Sequence, residues 1–265
     1  MSEPIYRWTW EVAGWCVVLF IVAPIVVVIG GSFTSAEFMT FPPKGLSLRW
    51  YEELKNQPQF LQGFWVSIQL GVATAVVATI IGALAGIGLS RLKRGSEGVS
   101  VLLLSPLLVP SVIIGVAVLQ FLNLLNITSA FIALLIGHSV TTVPYVIRSV
   151  VASVQMMQKD IEWAAANLGA SPWRVLWHVT LPNIRPGVVG GAIFAFVVSF
   201  DTVTISIFLS SATYVPLPVR LYSAMEFVVD PVLASLSTLL ILFSVVAVLL
   251  AERVAGLQTL FGMKY

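Results

Sequence analysis

One acid lies deep in an apolar stretch, Asp201 in Val197-Val198-Ser199-Phe200-Asp201-Thr202-Val203-Thr204. A carboxylate beside the hydroxyls of Ser199, Thr202, Thr204 and Ser206 could meet a cation on a transport path, or could serve the fold as an ion-pair partner or cap. On a straight helix Thr202 and Thr204 do not share a narrow stripe with it. The histidines, His138 and His178, lie on different sides of an apolar segment. That spacing gives neither a His-Glu-x-x-His metal site nor a serine activated by histidine, and His138 reads as a packed, hydrogen-bonded side chain. The other polar region is the run from Asp160 to Gly187, which is punctuated by turns and set between apolar segments. Its residue types suit contact with another protein.

Caps divide that run. Asp160 is placed to cap a helix, Glu162 falls in the first turn where the dipole favours an anion, and Ala164, Ala165 and Leu168 form a small apolar face. Gly169 ends this helix as a left-handed residue would, Ser171-Pro172 starts a second, and Pro182 stops it.

The elements that position these residues follow from composition. The chain of 265 residues is 58% hydrophobic and 10% charged, with a mean hydropathy of +0.98, so it reads as an all-α polytopic membrane protein. Six charge-poor segments are long enough to cross a ~30 Å core at ~1.5 Å per residue. They run from Val12 to Ser32, Phe64 to Ser90, Val99 to Phe121, Ala130 to Ile147, Val188 to Leu209 and Val232 to Ala251. Asp201 falls in the outer half of the fifth, where facing lipid would cost ~2.5–3.5 kcal/mol.

Basic residues orient the spans. Arg7, Arg91, Lys93, Arg94, Arg148, Lys159, Arg174, Arg185, Arg253 and Lys264 fall on one side; Lys44, Arg49, Lys55 and Arg220 fall on the other. The positive-inside rule places both termini and the Asp160 loop, residues 148–186, in the cytoplasm. A net charge of +2 points away from nucleic acid. The first span reads as an uncleaved anchor, since its apolar run is too long for a signal peptide and no small-residue cleavage site follows. Cys16, the single cysteine, has no partner for an intramolecular disulfide.

Residues 34–60 form an external loop, in which Leu48-Arg49-Trp50-Tyr51-Glu52-Glu53-Leu54 suits an interfacial helix or a brace for an external partner. Within the core, 64–252, Pro106 and Pro110 interrupt the third span and Pro144 the fourth. Gly82, Gly86 and Gly88 give the second a face for close packing.

Ala164-Ala165, Leu168-Gly169-Ala170 and Val179-Thr180-Leu181-Pro182 together resemble the loop of the membrane subunits of bacterial ABC importers. That pattern is Glu-Ala-Ala, three residues, Gly, nine residues, Ile, one residue, Leu-Pro. Here Trp163 precedes Ala164, so the family's glutamate is either replaced by Glu162 from a neighbouring face or lost. The segments Ser32-Phe33 to Tyr51, Ser199 to Ser206 and Leu217-Pro218-Val219-Arg220-Leu221-Tyr222 resemble the spermidine/putrescine branch. In that branch a second acid often follows the position of Asp201, where this chain has Thr202.

The resemblance implies a type I importer permease of the bacterial inner membrane. Its partners would be two copies of an ATP-binding subunit, a second related permease forming a heterodimer, a periplasmic or lipid-anchored binding protein, and membrane lipid. Asp160, Glu162, Ala164, Ala165, Leu168, Gly169, Ala170, Leu181 and Pro182 would couple to the ATPase; Ser199, Phe200, Asp201 and Thr202 would line the path. No cofactor is expected on this chain, which lacks a Gly-x-x-x-x-Gly-Lys-Ser/Thr loop, so ATP and magnesium would belong to the partner. The implied solute is a polyamine, with an amino-acid-like, opine or aminophosphonate compound as the alternative. A secondary carrier would show an internal repeat and more intramembrane ionisable groups.

Overall fold

A computed structural model describes residues 3–92, 94–227 and 230–255. Lys93 and Lys264, two of the orienting charges, lie outside the described residues. Among those described, the regular elements are helical, with an isolated antiparallel bridge between Thr34 and Leu46. The first helices are α1 (Glu3–Ser32), α2 (Arg49–Glu53), α3 (Pro58–Arg91) and α4 (Ser96–Leu104). Next come α5 (Ser111–Leu124), α6 (Ala130–Met156), α7 (Lys159–Asn167) and α8 (Pro172–Val175). The last are α9 (Leu181–Asp201), α10 (Thr204–Leu209), α11 (Leu217–Phe227) and α12 (Pro231–Ala255). Backbone groups in hydrocarbon find partners only within their own segment, which is why apolar composition yields helix here.

The chain forms two compact units, one from the segments up to Gln59 and from Leu221 to Ala247, the other built on Phe60–Arg220. In the first unit, α1 exposes its side chains from Trp8 to Val26, as a helix surrounded by lipid does. The loop after it is tied down from within. Trp50 is buried rather than interfacial, because its indole N–H donates to the Thr34 carbonyl at 2.8 Å while the Ser235 hydroxyl donates to the Trp50 carbonyl at 3.3 Å. Tyr51 and Ser32 share a hydroxyl–hydroxyl bond of 2.7 Å. An exposed tryptophan would suit a membrane surface; this one braces a loop.

The second unit packs α3, α6 and α9 through small residues, as bilayer helices must when lipid removes the hydrophobic drive between them. A Cβ added at Gly82 would lie 2.6 Å from Val146 Cβ, and one at Gly86 would lie 3.0 Å from Val150 Cβ. One apolar core gathers Ala78, Val146, Val150, Ile184 and Ala195; another gathers Leu70, Ile114, Leu134, Ile205 and Leu209.

Among the described residues, four segments are long and apolar enough to cross a membrane: Trp8–Ser32, Pro58–Arg91, Ala130–Met156 and Pro172–Asp201. The span expected from Val99 to Phe121 is instead a bent pair, Ser96–Leu107 and Ser111–Leu124, meeting at 93°. Pro106 lies in a 3-10 turn and Pro110 immediately precedes α5, so two missing N–H donors end one helix before the next begins. The span expected from Val188 to Leu209 is corrected at both ends. Its helix runs continuously from Pro172 and stops at Asp201. Pro182 therefore does not end a helix. A π turn over Leu176–Thr180 precedes it, and such a turn absorbs the loss of the N–H that proline cannot supply. The sixth expected span, Val232 to Ala251, lies within α12, whose apolar stretch extends from Pro231 to Ala247.

Candidate functional site

The loop between α6 and α9 is held at its middle and at its base. Gln158, rather than Asp160, occupies the N-cap of α7, and Asp160 and Glu162 both sit in the first turn, where they complement the helix dipole. Gly169 takes φ +84°. Its N–H donates to the Ala166 carbonyl at 2.9 Å and the Ala170 N–H to the Ala165 carbonyl at 3.1 Å, the paired bonds of a Schellman turn. The Ser171 hydroxyl accepts from the Arg174 N–H and Pro172 takes the first helical position, as the sequence predicts.

Glu162 turns inward. Its Oε1 receives Arg91 Nη2 at 3.0 Å and the Thr180 hydroxyl, and the same Arg91 nitrogen reaches Thr180 Oγ1 at 3.3 Å. Three segments are joined at that point: the end of α3, the first turn of α7 and the last residue of the π turn before α9. Trp163, which stands where the family pattern has its acid, faces outward at 71% exposure, with Leu168 at 89%, Trp173 at 69% and Trp177 at 62%. The loop thus turns Glu162 inward, leaves Asp160 exposed and offers large apolar side chains outward, with the small Ala164 exposed among them. Exposed apolar surface on this scale is of the kind that contact faces and lipid-facing surfaces share. Arg91→Ala should cost at most about 1 kcal/mol of stability, since the pair is partly solvated. Its expected mark is local, as faster amide exchange across residues 157–171 with little change elsewhere.

α6 and α9 cross closely enough to touch backbone to backbone. A Cβ at Gly187 would stand 2.1 Å from Ser153 Oγ and 2.6 Å from the Ser149 carbonyl oxygen, and the Ser149 hydroxyl donates to the Gly187 carbonyl at 2.8 Å. Leu181 and Pro182 begin α9 just above the loop.

At the far end of α9 the four expected path residues separate into two groups. Asp201 is exposed at the last helical position, and Thr202 is half-buried with its hydroxyl donating to the Val198 carbonyl at 2.5 Å. Phe200 lies against Phe64 and Phe196, ring centres 6.1 and 5.9 Å away. Ser199 points away, into the buried interior, where it meets His138. Sequence reading missed the helix break after Asp201, because nothing in Asp201-Thr202-Val203 is a glycine or proline. Among the described residues no three of His, Cys, Asp and Glu gather as a metal site would require.

This fold is that of an ABC transporter permease, a membrane-spanning transport subunit. It matches a chain in the crystal structure of a bacterial ABC transporter involved in the import of the acidic polysaccharide alginate, with a TM-score of 0.75, 15% identity and coverage of 95% of this chain and 97% of that one. An amino acid ABC transporter crystallised with histidines matches 78% of this chain and all of its own, with a TM-score of 0.55 and 16% identity. The family described as binding-protein-dependent transport system inner membrane component matches residues 78–258, and this chain belongs to it. Similar proteins include the spermidine/putrescine transport system permease PotC of Escherichia coli K12, 31% identical over 91% of each chain. The putrescine permease PotI of the same strain is 30% identical over 84% of this chain and 82% of that one. The molybdenum permease ModB of Mycobacterium bovis is 32% identical over 69% of this chain and 76% of its own. By this kinship the protein is a multi-pass component of the inner membrane.

Proposed function

We propose that this chain forms half of the solute path of an ATP-driven importer for a small amine-bearing solute such as putrescine or spermidine. The observation that carries the reading is Asp201, a carboxylate exposed at a helix break in a chain whose likeness to polyamine permeases extends over nearly its whole length. The path is lined by Asp201, Phe200 and Thr202, with Ser199 behind them. Six spans place both termini and the α7 loop in the cytoplasm. There Asp160, Glu162, Ala164, Ala165, Leu168, Gly169, Ala170, Leu181 and Pro182 form or support the face that meets an ATP-hydrolysing subunit. A second permease completes the path, and a binding protein delivers the solute.

One observation favours a second reading for the solute. Thr202 stands where the polyamine branch often has another acid, and its hydroxyl is engaged by the Val198 carbonyl. A single carboxylate suits a single cationic group, as in an amino-acid-like, opine or aminophosphonate solute. Uptake of putrescine, spermidine and an aminophosphonate by vesicles holding the complete transporter decides between the two. Asp201→Asn should lower uptake about tenfold, the scale of one lost charge-assisted contact, while the ATPase subunit still co-purifies. Loss of assembly instead would make Asp201 a structural residue.

A further inference from the structure

His138 is 1% exposed, sits on α6, and has both ring nitrogens bonded across the break that separates α9 from α10. Nδ1 meets Ser199 Oγ at 2.8 Å, on the last turn of α9; Nε2 meets Ser206 Oγ at 2.9 Å, on α10. The directions of these bonds follow from the hydrogens available. Ser206 donates its one hydroxyl hydrogen to the Thr202 carbonyl at 2.6 Å, so toward His138 it can only accept. Nε2 therefore carries a hydrogen; in a neutral ring Nδ1 is then bare, and the Ser199 hydroxyl donates to it. With the ring neutral, the chain of bonds runs in one direction, from Ser199 through the imidazole to Ser206 and on to the Thr202 carbonyl in the break. The backbone at His138 has side-chain partners too, since its carbonyl receives the hydroxyls of Thr142 at 2.8 Å and Thr141 at 3.0 Å.

Irregular backbone at membrane depth persists only where it is buried in protein or lines a watery cavity, so that neighbouring side chains or water satisfy the groups that the helix no longer pairs, and Asp201-Thr202-Val203 has no glycine or proline to stop the helix. We propose that His138 is a positioning residue for the solute path: by joining Ser199 to Ser206 it fixes where α9 stops, and so fixes where Asp201 is presented. This rests on the reading of Asp201 as a path residue.

The measurement is uptake, by vesicles holding the complete transporter, of whichever of putrescine, spermidine or an aminophosphonate the unaltered transporter accumulates. Ser206→Ala removes one oxygen from the chain of bonds and should lower uptake about tenfold. His138→Phe should match it, and His138→Gln, whose amide can accept at one atom and donate from the other, should recover most of the rate. The double variant Ser206→Ala/Asp201→Asn should be no slower than Asp201→Asn alone, because the network acts through that carboxylate. Losses that multiply in the double variant would overturn the proposal and leave the path reading standing. Wild-type uptake by Asp201→Asn would overturn both.

Discussion

Gly169→Val should reduce solute uptake by more than tenfold in the assembled transporter and abolish stimulation of its ATPase, while the complex still forms. The residue sits at φ +84°, where a β-branched side chain costs on the order of 1–3 kcal/mol. Steric crowding plays no part, since an added Cβ would meet nothing within 4 Å. The backbone must then leave the left-handed region, and the bonds from Gly169 to Ala166 and from Ala170 to Ala165 break with it. The turn that sets α7 against α8 is lost, and the outward face of Trp163, Leu168 and Trp173 comes apart. Asparagine tolerates the same conformation, so Gly169→Asn should retain much of the activity. Full coupling in the valine variant would remove the coupling role from this loop.

Gly187→Val should act on the fold itself. Two of the three clashes come from Ser153, whose Oγ and Cβ would stand 2.1 and 2.7 Å from the new carbon; the third comes from the Ser149 carbonyl oxygen, which cannot swing aside. Forcing α6 and α9 apart costs about 1–3 kcal/mol or more, and the Ser149 to Gly187 bond goes with the contact. The expected result is a lower melting temperature in detergent and reduced yield of the complex. Ser153→Gly in the same chain should restore part of the loss. An unchanged melting temperature would mean that the two helices do not meet as described.

Local features were the ones a sequence could show. Ser171-Pro172 and Gly169 carry their conformations in their own side chains, and the structure puts a start and a stop where they predict. Asp201-Thr202-Val203 carries no such mark, and the side chain that bridges its break, His138, lies more than sixty residues earlier in the chain. Trp50 was legible as an amphipathic side chain but not as a buried one, since its partner is the carbonyl of Thr34 across a loop. Pro182 misled for the opposite reason. It looks like a stop, but a π turn one step earlier shifts the bonding register and the helix passes through. Glu162 shows how a motif can be off by one position: the acid beside the alanines turns inward to Arg91, and Trp163 takes the outward place.

The helix from Pro172 to Asp201 is unbroken, and its closest crossing with α6, at Gly187, lies near its midpoint. Treated as a lever it is ~45 Å long at ~1.5 Å per residue, with arms of nearly equal length on either side of Gly187. A push on the loop end would return as a swing of similar size and opposite sense at Asp201, without amplification. One arm carries the π turn over Leu176–Thr180, where the bonding register is wider than in the rest of the helix.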